Sequence, residues 1–164
     1  MSAENKIKLL LVDDEVKFLE AIAKRLELKN FDVTTASNGK EAVTSAEKGL
    51  FDVAVVDFQM PGMDGTQVLK TLKENHKYLE IIMLTGHATI DSAVECTKMG
   101  AFKYLEKPYD FEKLVEVIME AYEARLKRKF EHNQKRIDEI QKLSMGVSPL
   151  GLLRALARLD NEEK

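Results

Sequence analysis

Through the first two thirds of the chain, short apolar runs alternate with stretches of helical periodicity. Ile7-Lys8-Leu9-Leu10-Leu11-Val12 is an apolar run that ends in acids. Phe18, Leu19, Ile22, Ala23 and Leu26 then recur at helical spacing. Residues 32–36 form a weaker strand, closed by the turn signal Asn38-Gly39, and 41–48 read as a helix stopped by Gly49. Asp52-Val53-Ala54-Val55-Val56-Asp57 is the clearest buried strand, β-branched and apolar on both faces. Met60-Pro61-Gly62 marks a loop, and 65–74 a helix with Val68, Leu69 and Leu72 inward. Ile81-Ile82-Met83-Leu84 is another buried strand, 89–99 a helix followed by Gly100, and 101–105 a short strand ended by Lys107-Pro108.

Five strands, each followed by a helix, predict an α/β fold with a parallel sheet covered on both faces. Right-handed crossovers make a doubly wound five-stranded sheet the simplest solution. In such sheets ligands bind beyond the carboxyl ends of the strands. Past the first strand stand Asp13 and Asp14, past the third Asp57, past the fourth Thr85 and Gly86, and past the fifth Lys107. Three carboxylates in one pocket repel one another, and a divalent cation relieves that. Mg²⁺ prefers oxygen ligands and pairs one or two carboxylates with a phosphate. The Thr85 hydroxyl and the Lys107 ammonium suit phosphoryl oxygens, and Gly86 leaves room for close approach. A carboxylate nucleophile forming an aspartyl-phosphate fits this set, since phosphoryl transfer asks mainly for positioning and charge neutralisation. There is no Gly-rich phosphate loop, His76, His87 and His132 are isolated, and no Ser/His pair carries triad signals.

The composition agrees with this reading. The chain has 164 residues, 45% of them hydrophobic, enough for one cored domain with an appendage. A net charge of −3, from 25 Lys+Arg against 28 Asp+Glu, argues against a globally basic coat for nucleic acid or membrane. Cys96 stands alone and reads as a helix-face residue. It forms no intrachain disulfide, which fits a reducing compartment. No apolar run reaches the ~18–20 residues of a membrane span, and residues 1–12 make a poor signal peptide. The expected address is cytoplasmic.

Residues 7–122 resemble the response-regulator receiver domain of two-component signalling. The motifs are Leu11-Val12-Asp13-Asp14-Glu15, the stretch from Val56 to Gly65 with Asp57 near its start, Leu84-Thr85-Gly86-His87 and Tyr104-Leu105-Glu106-Lys107-Pro108, in the family's order and spacing. The resemblance implies a flavodoxin-like sheet. It makes Asp57 the phosphoacceptor, receiving its phosphoryl group from a sensor histidine kinase or phosphotransfer protein. It implies Mg²⁺ held by Asp14, Asp57 and the backbone carbonyl of Gln59, with Asp13 acting largely through water. Thr85 and Lys107 would contact the phosphoryl group. Thr85 and Tyr104 would be the switch pair, the hydroxyl moving to the phosphate as the ring turns inward. Lys107-Pro108 would be cis, and Gln59 and His87 would tune dephosphorylation. Beyond this self-phosphorylation and its reversal, no enzymatic turnover is expected.

The C-terminal third departs from a bare receiver, so the expected organisation is a receiver over 1–122 and a helical extension over 123–164. One helix over 111–143 would be ~50 Å long. Within it Leu126, Phe130, Asn133, Ile137 and Ile140 step by four, three, four and three, a heptad seam of about three repeats. Asn133 is a polar seam residue of the kind that sets register. Residues 125–142 are locally basic, which reads first as a solvated face, and nucleic-acid contact is not expected. Residues 144–148 read as a loop and Ser148-Pro149 as a helix start. Leu150, Leu152, Leu153, Leu156 and Leu159 form an amphipathic helix over 149–159 that must pack on something.

The chain thus reads as a single-domain regulator with output through protein–protein interaction, including homodimerisation through 123–159. A constitutive dimeric scaffold with an unused site and DNA binding through the basic helix are the alternatives. A phosphohydrolase with an aspartate nucleophile is a further one, disfavoured because Asp57-Phe58-Gln59 lacks the second aspartate such loops carry.

Overall fold

A computed structural model describes residues 5–86, 89–144 and 149–162. The elements in chain order are β1 (Lys8–Val12), α1 (Val16–Leu28), β2 (Asp32–Ala36), α2 (Gly39–Lys48), β3 (Val53–Asp57), α3 (Gly65–Asn75), β4 (Glu80–Thr85), α4 (Ile90–Lys98), β5 (Lys103–Glu106), α5 (Phe111–Ser144) and α6 (Pro149–Glu162). The five strands form one sheet in the order β2-β1-β3-β4-β5, every neighbouring pair parallel. This is the flavodoxin-like doubly wound order, whose topological switch lies between β1 and β3.

Strand periodicity explains why the apolar runs are continuous. Leu9 and Leu11 of β1, Val53 and Val55 of β3, and Ile82 and Leu84 of β4 face one core, completed by Leu19, Ile22 and Leu26 of α1 and Leu114 and Ile118 of α5. Leu10, Val12, Ala54, Val56, Ile81 and Met83 face the other, with Val68, Leu69 and Leu72 of α3 and Cys96 of α4. Each strand thus feeds two cores, one on either face of the sheet.

Three boundaries differ from the sequence reading by two residues or more. α2 begins at Gly39, because Asn38 does not close a turn but caps the helix: its Oδ1 accepts from Glu41 N–H at 2.8 Å. β5 starts two residues late, after Gly100 at φ +100° and an Ala101 N–H that still donates to Cys96 O. α6 runs to Glu162, past Leu159. The expected loop at 144–148, with the Ser148 cap, falls almost wholly outside the described residues, as do the side chains of Leu152 and Leu159.

The chain divides into two compact units, Met1–Arg125 and Leu126–Lys164. At the end of the first, Arg125 Nε lies 3.0 Å from Asp52 Oδ1, while Asp52 Oδ2 accepts from Lys8 N–H at 2.9 Å. In the second unit Leu126, Phe130 and Ile137 of α5 are 49%, 69% and 48% exposed. Among the described residues no helix is long and apolar enough to cross a membrane.

Candidate functional site

The carboxyl ends of β1, β3 and β4 converge because β1, β3, β4 and β5 are adjacent and parallel. Asp57 is the last residue of β3 and pairs in register with Leu84, one residue before Thr85. Asp13 directly follows β1, and its N–H donates to Ala36 O at 3.2 Å, which ties it to the end of β2. Lys107 directly follows β5, and its N–H donates to Thr85 O at 2.6 Å. The Lys107-Pro108 peptide is cis.

Asp13, Asp14 and Asp57 each present a carboxylate oxygen within 4.8 Å of the others. Asp13 and Asp57 are buried, at 2% and 6% exposure, and Asp14 is exposed. One ammonium answers this negative charge directly: Lys107 Nζ is 2.9 Å from Asp13 Oδ2 and 3.7 Å from Asp57 Oδ1. The other oxygen of Asp13 accepts from Glu15 N–H at 2.9 Å, so both are engaged by protein.

These neighbours set the protonation chemistry. Burial pushes the Asp57 carboxyl up to about 6; Lys107 opposes the shift, Asp13 adds to it, the Gln59 N–H opposes it and Asp14 adds again. Burial works against the Lys107 charge, but the hydrogen bond and charge of Asp13, then Asp57 and Glu15, outweigh it and raise its pKa. Beside it, the Tyr109 phenol is pushed up to about 12 by burial, then by Asp13, with Arg25 opposing and Asp57 adding. The site holds an excess of buried negative charge. That donor set, all oxygen and partly unneutralised, fits a hard divalent cation such as Mg²⁺.

The loop after β3 is held from both sides. Phe58 N–H donates to Leu84 O at 2.7 Å, and Gly65 N–H donates to Phe58 O at 2.9 Å. Asp64 and Gln67 form a reciprocal capping box that starts α3. A Cβ on Gly65 would lie 2.5 Å from Asp57 O and 2.6 Å from Phe58 Cα, so only glycine lets α3 approach the end of β3 this closely. A Cβ on Gly86, by contrast, would meet nothing within 4 Å.

Of the residues expected at the site, Asp13, Asp14, Asp57 and Lys107 come together, and Gln59 directs its N–H at Asp57. Thr85 is fully buried at the end of β4. Tyr104 is half-buried on β5; its ring meets Phe58 edge-on at 6.1 Å, and its hydroxyl lies 2.8 Å from Ser92 Oγ. His87 lies outside the described residues. Cys96 is buried, and burial followed by Glu95 pushes its thiol up to about 11, which keeps it unreactive.

Two contributors escape a reading of the sequence. Gly65 looks like an ordinary residue at a helix start until the backbone of β3 is placed against it. Ser92 could be suspected only from its position three residues after Thr89, where it completes a capping box.

A family model for the response regulator receiver domain matches residues 9–119. The DNA-binding transcriptional regulator NtrC of Salmonella typhimurium is 35% identical over 111 residues, which cover 68% of this chain and 24% of that protein. A CheY-like receiver domain protein from Methanospirillum hungatei superposes with a TM-score of 0.73 at 28% identity, over 76% of this chain and 99% of that one. NtrX from Brucella abortus superposes with a TM-score of 0.72 at 25% identity, over 85% of this chain and 35% of that one. The chain spans about a quarter of the length of the curated relatives it matches. With the 2-1-3-4-5 sheet and the acidic cluster at its carboxyl edge, the match shows that this chain belongs to the response regulator receiver domain family.

Proposed function

We propose that the chain is a phosphorylation-activated response regulator in which Asp57 accepts a phosphoryl group from a phosphohistidine on a sensor kinase or phosphotransfer protein. The observation that carries this is the clustering of Asp57 with Asp13, Asp14 and Lys107 at the edge where receiver domains bind their ligands. An Asp57 oxygen attacks phosphorus, the phosphorus–nitrogen bond breaks, and the donor imidazole leaves with the electron pair. Asp14, Asp57 and the Gln59 carbonyl would hold Mg²⁺, with Asp13 in a supporting place because Lys107 and the Glu15 N–H already occupy its oxygens. When bound, the cation neutralises charge on the carboxylates and the incoming phosphoryl oxygens. Lys107 stays charged and moves within reach of the phosphoryl group, and the Thr85 hydroxyl turns toward it. Tyr104 follows Thr85, and the face formed by α4 and β5 is remodelled as a shift between two populations. No further turnover is assigned to the chain.

Output goes to protein–protein interaction through that face or through the extension, where Leu126, Phe130 and Ile137 form an exposed stripe that suits a second copy. A second reading, DNA contact through the basic stretch of α5, gains from the NtrC relative being a DNA-binding regulator; a salt-dependent mobility shift would favour it. The primary test is mass spectrometry after incubation with acetyl phosphate and Mg²⁺. One added phosphoryl group is expected, lost on chelation of Mg²⁺ and absent in Asp57→Ala. A full adduct on Asp57→Ala would overturn the assignment.

A further inference from the structure

Ser92 lies at the third position of α4 and has one hydroxyl proton and two lone pairs. Four groups compete for them. Thr89 N–H lies 3.2 Å from Ser92 Oγ, Thr89 Oγ1 2.9 Å, Thr89 O 3.1 Å, and the Tyr104 hydroxyl 2.8 Å. The Tyr104 contact is the shortest of the four and the one that crosses between elements. Tyr104 belongs to β5, and its ring is half-buried against Phe58, the residue next to Asp57. Phe58 in turn donates its N–H to Leu84 O, one residue before Thr85. A continuous path thus runs from the phosphoacceptor strand through an aromatic pair to a hydroxyl that also closes the start of α4.

We infer that the half-buried place of the Tyr104 ring, edge-on to Phe58, is the turned-in one, and that Ser92 is the positioning residue whose hydroxyl holds it there and couples it to the cap of α4. The inference rests on the reading of Asp57, Thr85 and Tyr104 given above. Since the turned-in ring accompanies the phosphorylated arrangement, the Ser92–Tyr104 bond favours that arrangement. A hydroxyl with more suitors than capacity also makes the cap sensitive to the ring. When Tyr104 swings away, Ser92 returns wholly to Thr89 and the first turn of α4 tightens. When the ring comes in, the cap gives up part of its bonding.

The test is a double-mutant cycle read by isothermal titration of the full chain with beryllofluoride and Mg²⁺, which together take the place of a phosphoryl group on a carboxylate. Ser92→Ala and Tyr104→Phe should each weaken binding about five-fold, the worth of one side-chain hydrogen bond. The double variant should be no weaker than either single one. Ser92→Thr, which keeps the hydroxyl, should stay within about two-fold of the unsubstituted chain. Tyr104→Phe keeps every contact between Ser92 and Thr89, so a role for Ser92 confined to the start of α4 would give additive effects in the cycle. Unchanged affinity in either single variant, additive losses, or tighter binding would overturn the role of Ser92. Failure of the unsubstituted chain to bind beryllofluoride would instead overturn the reading of Asp57 itself.

Discussion

Asp57 is a carboxylate at the end of a fully buried strand, with Asp13, Asp14 and the Lys107 ammonium close by. Burial is the main reason its pKa is pushed up to about 6. The folded-state value lies above that of an ordinary carboxyl, so ionising Asp57 opposes folding. The stability this group contributes is greatest below about pH 4 and is lost as pH rises through about 6. Asp57→Asn removes the charge in nearly the same volume. It should therefore raise stability at pH 7 by about 2 kcal/mol, with the gain shrinking below pH 6 as the native carboxyl protonates. Urea midpoints at pH 5 and pH 8 check this; an equal gain at both would show that the charge is not the cause. Asp57 was legible in the sequence because acids recur at the ends of apolar runs. Its raised pKa was not, since it depends first on burial at the end of the sheet, which Lys107, fifty positions away and nearer to Asp13 than to Asp57, offsets only in part.

At the scale of elements, the loop between β3 and α3 shows how a helix start shapes a site. The Asp64–Gln67 capping box fixes where α3 begins, and Gly65 lets that beginning rest on the backbone of Asp57 and Phe58. Gly65→Ala has no room for its methyl without moving one of the two. It should cost about 1–3 kcal/mol in urea unfolding and weaken Mg²⁺ binding, read by titration at fixed pH. A stable variant with unaltered Mg²⁺ affinity would mean the loop gives way without disturbing the carboxylates. The other elements were legible for a simple reason. Strands buried on both faces must be apolar throughout, and helices covering them must be apolar on one side. The misplaced boundaries, Asn38 and residues 101–102, lie where side-chain capping and a left-handed glycine decide the geometry and hydrophobic pattern is silent.

For the whole molecule, the function proposed above gives the extension the part of a docking face for a second copy. The stripe of Leu126, Phe130, Asn133, Ile137 and Ile140 occupies alternating seam positions. In a parallel, in-register pair Lys129 would face Gln134 of the second copy and Arg136 would face Gln141, so no like charges meet across the seam. Light scattering on the full chain should give twice the monomer mass with beryllofluoride and Mg²⁺, and Phe130→Glu should return it to the monomer. An unchanged mass in both would move the output to the α4–β5 face. Hydrophobic period and strand-end chemistry are local properties, so the order of residues alone dictates the alternation of strands and helices, the two-sided sheet and the acids, threonine and lysine at its carboxyl edge. Which carboxylate Lys107 faces, why Gly65 must lack a side chain, and that Ser92 meets Tyr104 emerge once the elements are packed together. Those relations join residues distant in the chain across spaces of a few ångströms, and packing alone sets such distances.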